Sequence, residues 1–219
     1  MTSFRIGVDE AGRGCLWGRV YAGAVHIPPT IPLPSTDGNG KNSKRNAIVL
    51  RDSKKMTALQ RERARSWIEE HTVWGVGFAE AQEIESEGIV TANLKAMHRA
   101  IDALMEKVSL PLPSDPGEIR ILVDGCYFER YRGYEYELVV RGESEHPEIA
   151  AASILAKTHR DAYVQKWCDD QAKEVQAHER YGLQDNKGYG TNKHITGLRQ
   201  YGPLSGTHRL SFLNRILSS

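Results

Sequence analysis

Two short apolar runs in this 219-residue chain each end in acid. Phe4-Arg5-Ile6-Gly7-Val8 leads into Asp9 and Glu10, and Ile119-Arg120-Ile121-Leu122-Val123 leads into Asp124. Runs this short and apolar read as buried strands. A third strand, 136–142, is followed directly by Glu143. In a mixed sheet, strand ends of this kind can converge on one crevice.

The remaining patterns build around those strands. Residues 19–27 predict a second strand, paired with the first as a hairpin, and 74–80 alternate in strand fashion. Thr57-Ala58-Leu59-Gln60 fits a capping box that opens a helix running to about Glu70. Leu94, Met97, Ile101 and Leu104 recur at helical spacing within 90–108. Pro147 suits a helix start, and a long helix with a small-residue face follows it. Residues 191–219 predict a helical C-terminal part of one or two short helices. Pro28, Pro29, Pro32 and Pro34 predict an exposed, mobile loop over 28–44. Strands first, with helices interspersed and following, define an α/β chain: a mixed sheet flanked by helices. The length suits one domain over 1–219.

Composition excludes several classes. Three cysteines without a CxxC pair make neither a disulfide framework nor a zinc site. A reducing, cytoplasmic setting follows. Acids arrive at positions 9 and 10, too early for a signal peptide, and no apolar run is long enough for a membrane span. With 29 basic and 28 acidic residues, bulk charge is silent on nucleic acid, and only local clustering can speak.

Clustered carboxylates repel one another, and their pKa values rise unless a cation compensates. No lysine adjoins Asp9, Glu10, Asp124 or Glu143 in sequence, so a divalent metal on oxygen ligands is the economical partner. Two ions roughly 4 Å apart form the clamp of many nucleases. Gly12-Arg13-Gly14 follows the first acids, offering a permissive backbone and a planar phosphate fork. Between Lys41 and Arg65 nine basic residues face two acids, and Lys54 and Lys55 stand at the mouth of a helix. Tyr189 sits between glycines on a basic loop, placed to stack on a sugar or base. Each motif alone has a plainer reading. Acids after strands serve as caps or solvated loop residues, Asp124-Gly125 as a turn, Gly12-Arg13-Gly14 as a tight turn and Tyr189 as a loop anchor. Their combination favours a metal-dependent site for a phosphodiester.

The motifs DEAGRG, DSKK, LVDG, AAASILAKTHRD and KGYGT, in this order, resemble type 2 ribonuclease H, the ribonuclease HII family. The similarity runs from Ile6 to about Phe212, with HRLSF (208–212) resembling the family's closing segment. The resemblance implies a ribonuclease H-like fold with a five-stranded mixed sheet. It implies cleavage of RNA in RNA–DNA hybrids and incision 5′ of ribonucleotides embedded in duplex DNA. The products would carry 5′-phosphate and 3′-hydroxyl ends, and the ions would be Mg²⁺ or Mn²⁺. Asp9, Glu10 and Asp124 match the family's metal carboxylates. Gly12, Arg13 and Gly14 match its ribonucleotide-reading turn, and Tyr189 the tyrosine that contacts the 2′-hydroxyl and the next sugar. Such a protein acts as a monomer on nucleic acid and not at a membrane.

Three departures stand out. Glu143, in RGES, takes the place of the usual aspartate, with Glu145 and Glu148 as nearby substitutes. Cys15 replaces the common proline after the glycine-rich turn, and the 28–44 loop is long. Ser153 and Lys157, four apart on one helix, are candidate phosphate contacts, and Asp161 is expected to pair with Lys157 or Arg160. Two rival readings remain. One is a ribonuclease HIII-like enzyme, disfavoured by Arg13 and by a catalytic strand beginning at residue 4. The other is a hybrid-binding module with weakened catalysis, left open by Glu143.

Overall fold

A computed structural model describes residues 4–34, 48–108, 116–171 and 177–217. Most of the proline-rich loop, 35–44, lies outside the described residues. Five strands form one sheet in the order β3-β2-β1-β4-β5: β1 (Phe4–Ala11), β2 (Val20–His26), β3 (Val73–Ala79), β4 (Ile119–Asp124) and β5 (Glu135–Val139). The β1–β2 and β2–β3 pairs are antiparallel, and β1–β4 and β4–β5 are parallel. The sheet is therefore mixed and the first two strands form the expected hairpin.

Helices cover both faces. Helix α1 (Ala58–His71) opens on the Thr57 capping box: Gln60 N–H donates to the Thr57 hydroxyl, and Thr57 N–H donates to the Gln60 amide oxygen. A short α2 (Ala81–Glu87), which the sequence reading missed, leads into α3 (Ile89–Met105). The stripe Leu94, Met97, Ile101 and Leu104 packs α3 onto Ile6, Val8, Val20 and Ile121. On the other face, α4 (Pro147–Gln171) buries Ala151, Ala152, Ile154 and Leu155 against Val25 and the α1 residues Ala64 and Ile68. Its small-residue face fits because β1 and β2 offer glycine opposite it. A Cβ on Gly7 would strike the Glu148–Ile149 backbone, and one on Gly23 the Ala152 carbonyl.

Four further helices, α5 (Ala177–Tyr181), α6 (Leu183–Asn186), α7 (Asn192–Tyr201) and α8 (Leu210–Leu217), form the C-terminal part. Their core residues Tyr181, Leu183, Leu198 and Leu213 cluster with Val164 and Cys168 of α4. Leu16 and Trp17, from the loop after β1, complete that cluster. The hydrophobic effect thus draws the C-terminal helices onto the glycine-rich turn.

Candidate active site

In the parallel β1–β4 ladder Val8 pairs with Val123, so the next residues, Asp9 and Asp124, stand side by side where that ladder ends, while β1 runs on against β2 to Ala11. Glu143 reaches them from a 3₁₀ turn, Gly142–Ser144, after β5. Arg141 takes a left-handed conformation (φ 61°) to turn the chain there. Gly142 N–H then donates to Asp124 Oδ1 at 3.0 Å, fixing that carboxylate. One oxygen each from Asp9, Asp124 and Glu143 lies within 4.8 Å of the others. Among the described residues this is the one such cluster of potential metal ligands.

The electrostatics are those of an unneutralised acidic cluster. Burial, then the charges of Glu10 and Asp124, hold the Asp9 carboxyl well above the usual carboxylate range. Burial followed by Asp124 raises Glu143. Burial also raises Glu10, although Arg13 opposes it. Glu10 stands beside the three-carboxylate set and not within it. Its neighbour in sequence, Asp9, shares a strand whose side chains alternate in direction, and Glu10 lies 3.8 Å from the Arg13 guanidinium. Glu145 does not join the cluster, and Glu148 is buried in an ion pair with Arg5 at 3.0 Å.

A cleft of about 690 Å³ adjoins the acids, lined by Arg51, Asp52, Lys54, Lys55, Asp124, Arg141, Glu143 and Ser144. Lys54 and Lys55 sit on a 3₁₀ turn of their own, Ser53–Lys55, capped by Asp52, rather than on the first turn of α1. Both are exposed, and Lys55 is 3.4 Å from Asp52. Ser153 takes a different place from the expected phosphate contact. It is buried, its hydroxyl is 2.9 Å from that of Ser53, and it favours the ionised form of Asp9 against the burial that opposes it. Lys157 pairs with Asp161 at 2.7 Å and lies 5.9 Å from the centre of the Tyr189 ring.

The glycine-rich turn is held from beneath by two arginines that the motif reading did not single out. Arg209, fully buried, donates to the carbonyls of Gly12 (2.9 Å), Arg13 (3.0 Å) and Gly18 (2.9 Å). Arg160, also fully buried, donates to Trp17 and Arg19 on one side and to Lys187 at 2.7 Å on the other. Among the described residues neither guanidinium has a carboxylate partner. The Arg160 side chain also explains Gly12, which has φ 88° and where a Cβ would overlap that guanidinium. Gly14 is open, with nothing within 4 Å of where a Cβ would stand. Arg13 points outward, 47 % exposed. Leu16 N–H donates to Gly188 O at 2.9 Å, so the turn and the Tyr189 loop are stitched together. Tyr189 remains 41 % exposed, with Cys15 and Arg160 beside it. Cys15 is buried with its thiol toward the Lys187 carbonyl, and burial pushes that thiol up, away from reactivity.

This sheet order, with acids gathered at the end of the β1–β4 ladder, is that of the ribonuclease H fold. The fold matches Pyrococcus horikoshii ribonuclease H2 at TM-score 0.63, with 22 % identity over 98 % of this chain and 97 % of that one. It matches Bst-RNase HIII, solved in complex with Mn²⁺, at TM-score 0.67, with 16 % identity over 99 % of this chain and 70 % of that one. Sequence separates these types where the fold does not. The family model described as Ribonuclease HII matches residues 6–215. Relatives named Ribonuclease HII include those of Porphyromonas gingivalis (38 % identical, 94 % of this chain and 87 % of the relative) and Pelagibacter ubique (36 %, 94 % of each). The chain belongs to the ribonuclease HII family, and it is a ribonuclease H endonuclease acting on RNA–DNA hybrids. Among the described residues no helix is long and apolar enough to cross a membrane.

Proposed function

We propose that this enzyme incises duplex DNA on the 5′ side of embedded ribonucleotides, besides cutting RNA in hybrids, and so removes misincorporated ribonucleotides and RNA primers. The observation that carries the reading is the convergence of Asp9, Asp124 and Glu143, from three separate elements, within 4.8 Å. Asp9 and Glu143, both raised by burial and acidic neighbours, together with Asp124 form an oxygen ligand set that fits divalent ions, Mg²⁺ or Mn²⁺. When bound, two such ions would activate the attacking water and stabilise the leaving 3′ oxygen.

The chain's own residues do the rest. Asp9, buried between the other acids, would be the principal ligand of these ions, with Ser153 favouring its ionised form. Asp124 and Glu143 would complete the ligand set, with Glu10 beside it. The longer reach of Glu143 compensates for its origin on a turn beyond the sheet. Arg51, Lys54 and Lys55 neutralise backbone phosphates in the cleft, with Lys157 as a further contact. Gly12, Arg13 and Gly14 bring the ribonucleotide against the acids, where Gly14 leaves room for close approach. Tyr189 contacts the 2′-hydroxyl and packs on the following sugar; that hydroxyl is the local difference between RNA and DNA. The site is complete within one chain, which fits action as a monomer. Cleavage of a duplex carrying one ribonucleotide, with its ends mapped, tests the reading.

A further inference from the structure

Two histidines lie behind Tyr189, and their hydrogen bonds have a fixed direction. Leu204 N–H points at His208 Nδ1 at 2.8 Å. A backbone N–H can only donate, so Nδ1 accepts and the proton of neutral His208 is on Nε2. His208 Nε2 is 3.0 Å from His194 Nε2, which must then accept, leaving the His194 proton on Nδ1. His194 Nδ1 lies 2.9 Å from the Tyr189 carbonyl and donates to it. That carbonyl also receives Thr191 N–H at 2.8 Å. Both rings are buried. Burial keeps both neutral, lowering His194 and, with His194 alongside, taking His208 to about 3. Tyr181 packs edge-on against both rings. Residue 209, next in the chain, holds the carbonyls of Gly12 and Arg13.

We propose that His194 and His208 are positioning residues that set the placement of Tyr189 relative to the Gly12–Gly14 turn, and thereby the selectivity for a single embedded ribonucleotide. The dipeptide His208-Arg209 anchors both loops at once, one through the histidine relay and the other through the guanidinium. This inference rests on the proposed role of Tyr189. In an RNA–DNA hybrid every nucleotide of the RNA strand offers a 2′-hydroxyl, so a displaced tyrosine still finds one in register. A lone ribonucleotide offers a single chance, and misplacement is felt there first.

The test pairs a spectroscopic readout with substrate discrimination. Nitrogen-15 NMR of the imidazoles in the wild-type protein should show His208 protonated at Nε2 and His194 at Nδ1. His194→Phe fills the ring space but makes neither bond. It should lower kcat/KM for a single embedded ribonucleotide by about tenfold, the scale of one lost buried hydrogen bond. The hybrid should be cut nearly as before. His194→Asn, whose amide can still reach the carbonyl, should recover much of the selectivity. Reversed tautomers, charged rings, unchanged selectivity or an equal loss on both substrates would each overturn the relay. The tautomer result stands even where His194→Phe fails to fold. A wild type that ignores the embedded ribonucleotide would instead overturn the role of Tyr189, while the tautomers still judge the relay itself.

Discussion

Asp9 and Asp124 emerge side by side because Val8 and Val123 are partners in a parallel ladder. Parallel pairing aligns the two strands' ends in the same direction, so each carboxylate is delivered by its strand and not by a loop. A site of this kind is rigid before any ion arrives, and its ionised acids work against the fold.

That conflict predicts a pH dependence for the metal-free protein. The Asp9 carboxyl is raised by burial and by its acidic neighbours. A raised acid holds its proton longer in the folded state, so its stability contribution is present below the ordinary carboxylate pKa of about 4 and is lost as pH rises through the folded value. Asp9→Asn has no such proton to lose. Thermal melts without metal should show the variant gaining on the wild type as pH increases. Adding Mg²⁺ should reverse the order, stabilising the wild type more than the variant.

Glu143 should be a ligand despite its position on a turn. Glu143→Gln should weaken Mn²⁺ binding by at least about tenfold in calorimetric titration, since even outer-shell partners contribute on that scale. Binding equal to wild type would remove Glu143 from the metal site.

The two glycines of the turn should separate cleanly. Gly12→Ala places a side chain at φ 88° and against Arg160, and should cost about 1–3 kcal/mol in chemical denaturation. Gly14→Ala meets no neighbour and should fold as the wild type does. Any loss of cleavage by Gly14→Ala then reports crowding of the substrate.

Much of this was legible in the sequence, for a physical reason. Strands and helices leave periodic signatures, so the α/β order, the Thr57 cap and the α3 stripe were all readable. Acids at the ends of apolar runs exposed Asp9 and Asp124, because charge beside buried strands is costly and therefore conspicuous. What stayed hidden uses backbone as its partner. Arg160 and Arg209 clamp carbonyls, and carbonyls have no residue identity to read. The direction of Ser153 was equally hidden: its spacing from Lys157 puts both on one helix, yet packing buries the hydroxyl against Ser53. Glu10 is as conspicuous as Asp9 in sequence, and its pairing with Arg13 beside the three-carboxylate set is not readable there.

Tyr189→Ala should narrow the preference for a lone ribonucleotide over a hybrid by about tenfold, the scale of 1.4 kcal/mol. Competition between the two substrates in one tube measures the ratio directly. An unchanged ratio would remove Tyr189 from ribonucleotide reading.

The most direct test of the whole account is cleavage of a DNA duplex carrying one ribonucleotide, with Mg²⁺ and then with Mn²⁺, alongside an all-DNA duplex. A single metal-dependent cut on the 5′ side of the ribonucleotide, leaving 3′-hydroxyl and 5′-phosphate ends, is the expected result. No cut is expected in the all-DNA duplex or by Asp9→Asn, which should still bind. Cutting without added metal, cutting of plain DNA, or near wild-type cutting by Asp9→Asn would contradict it.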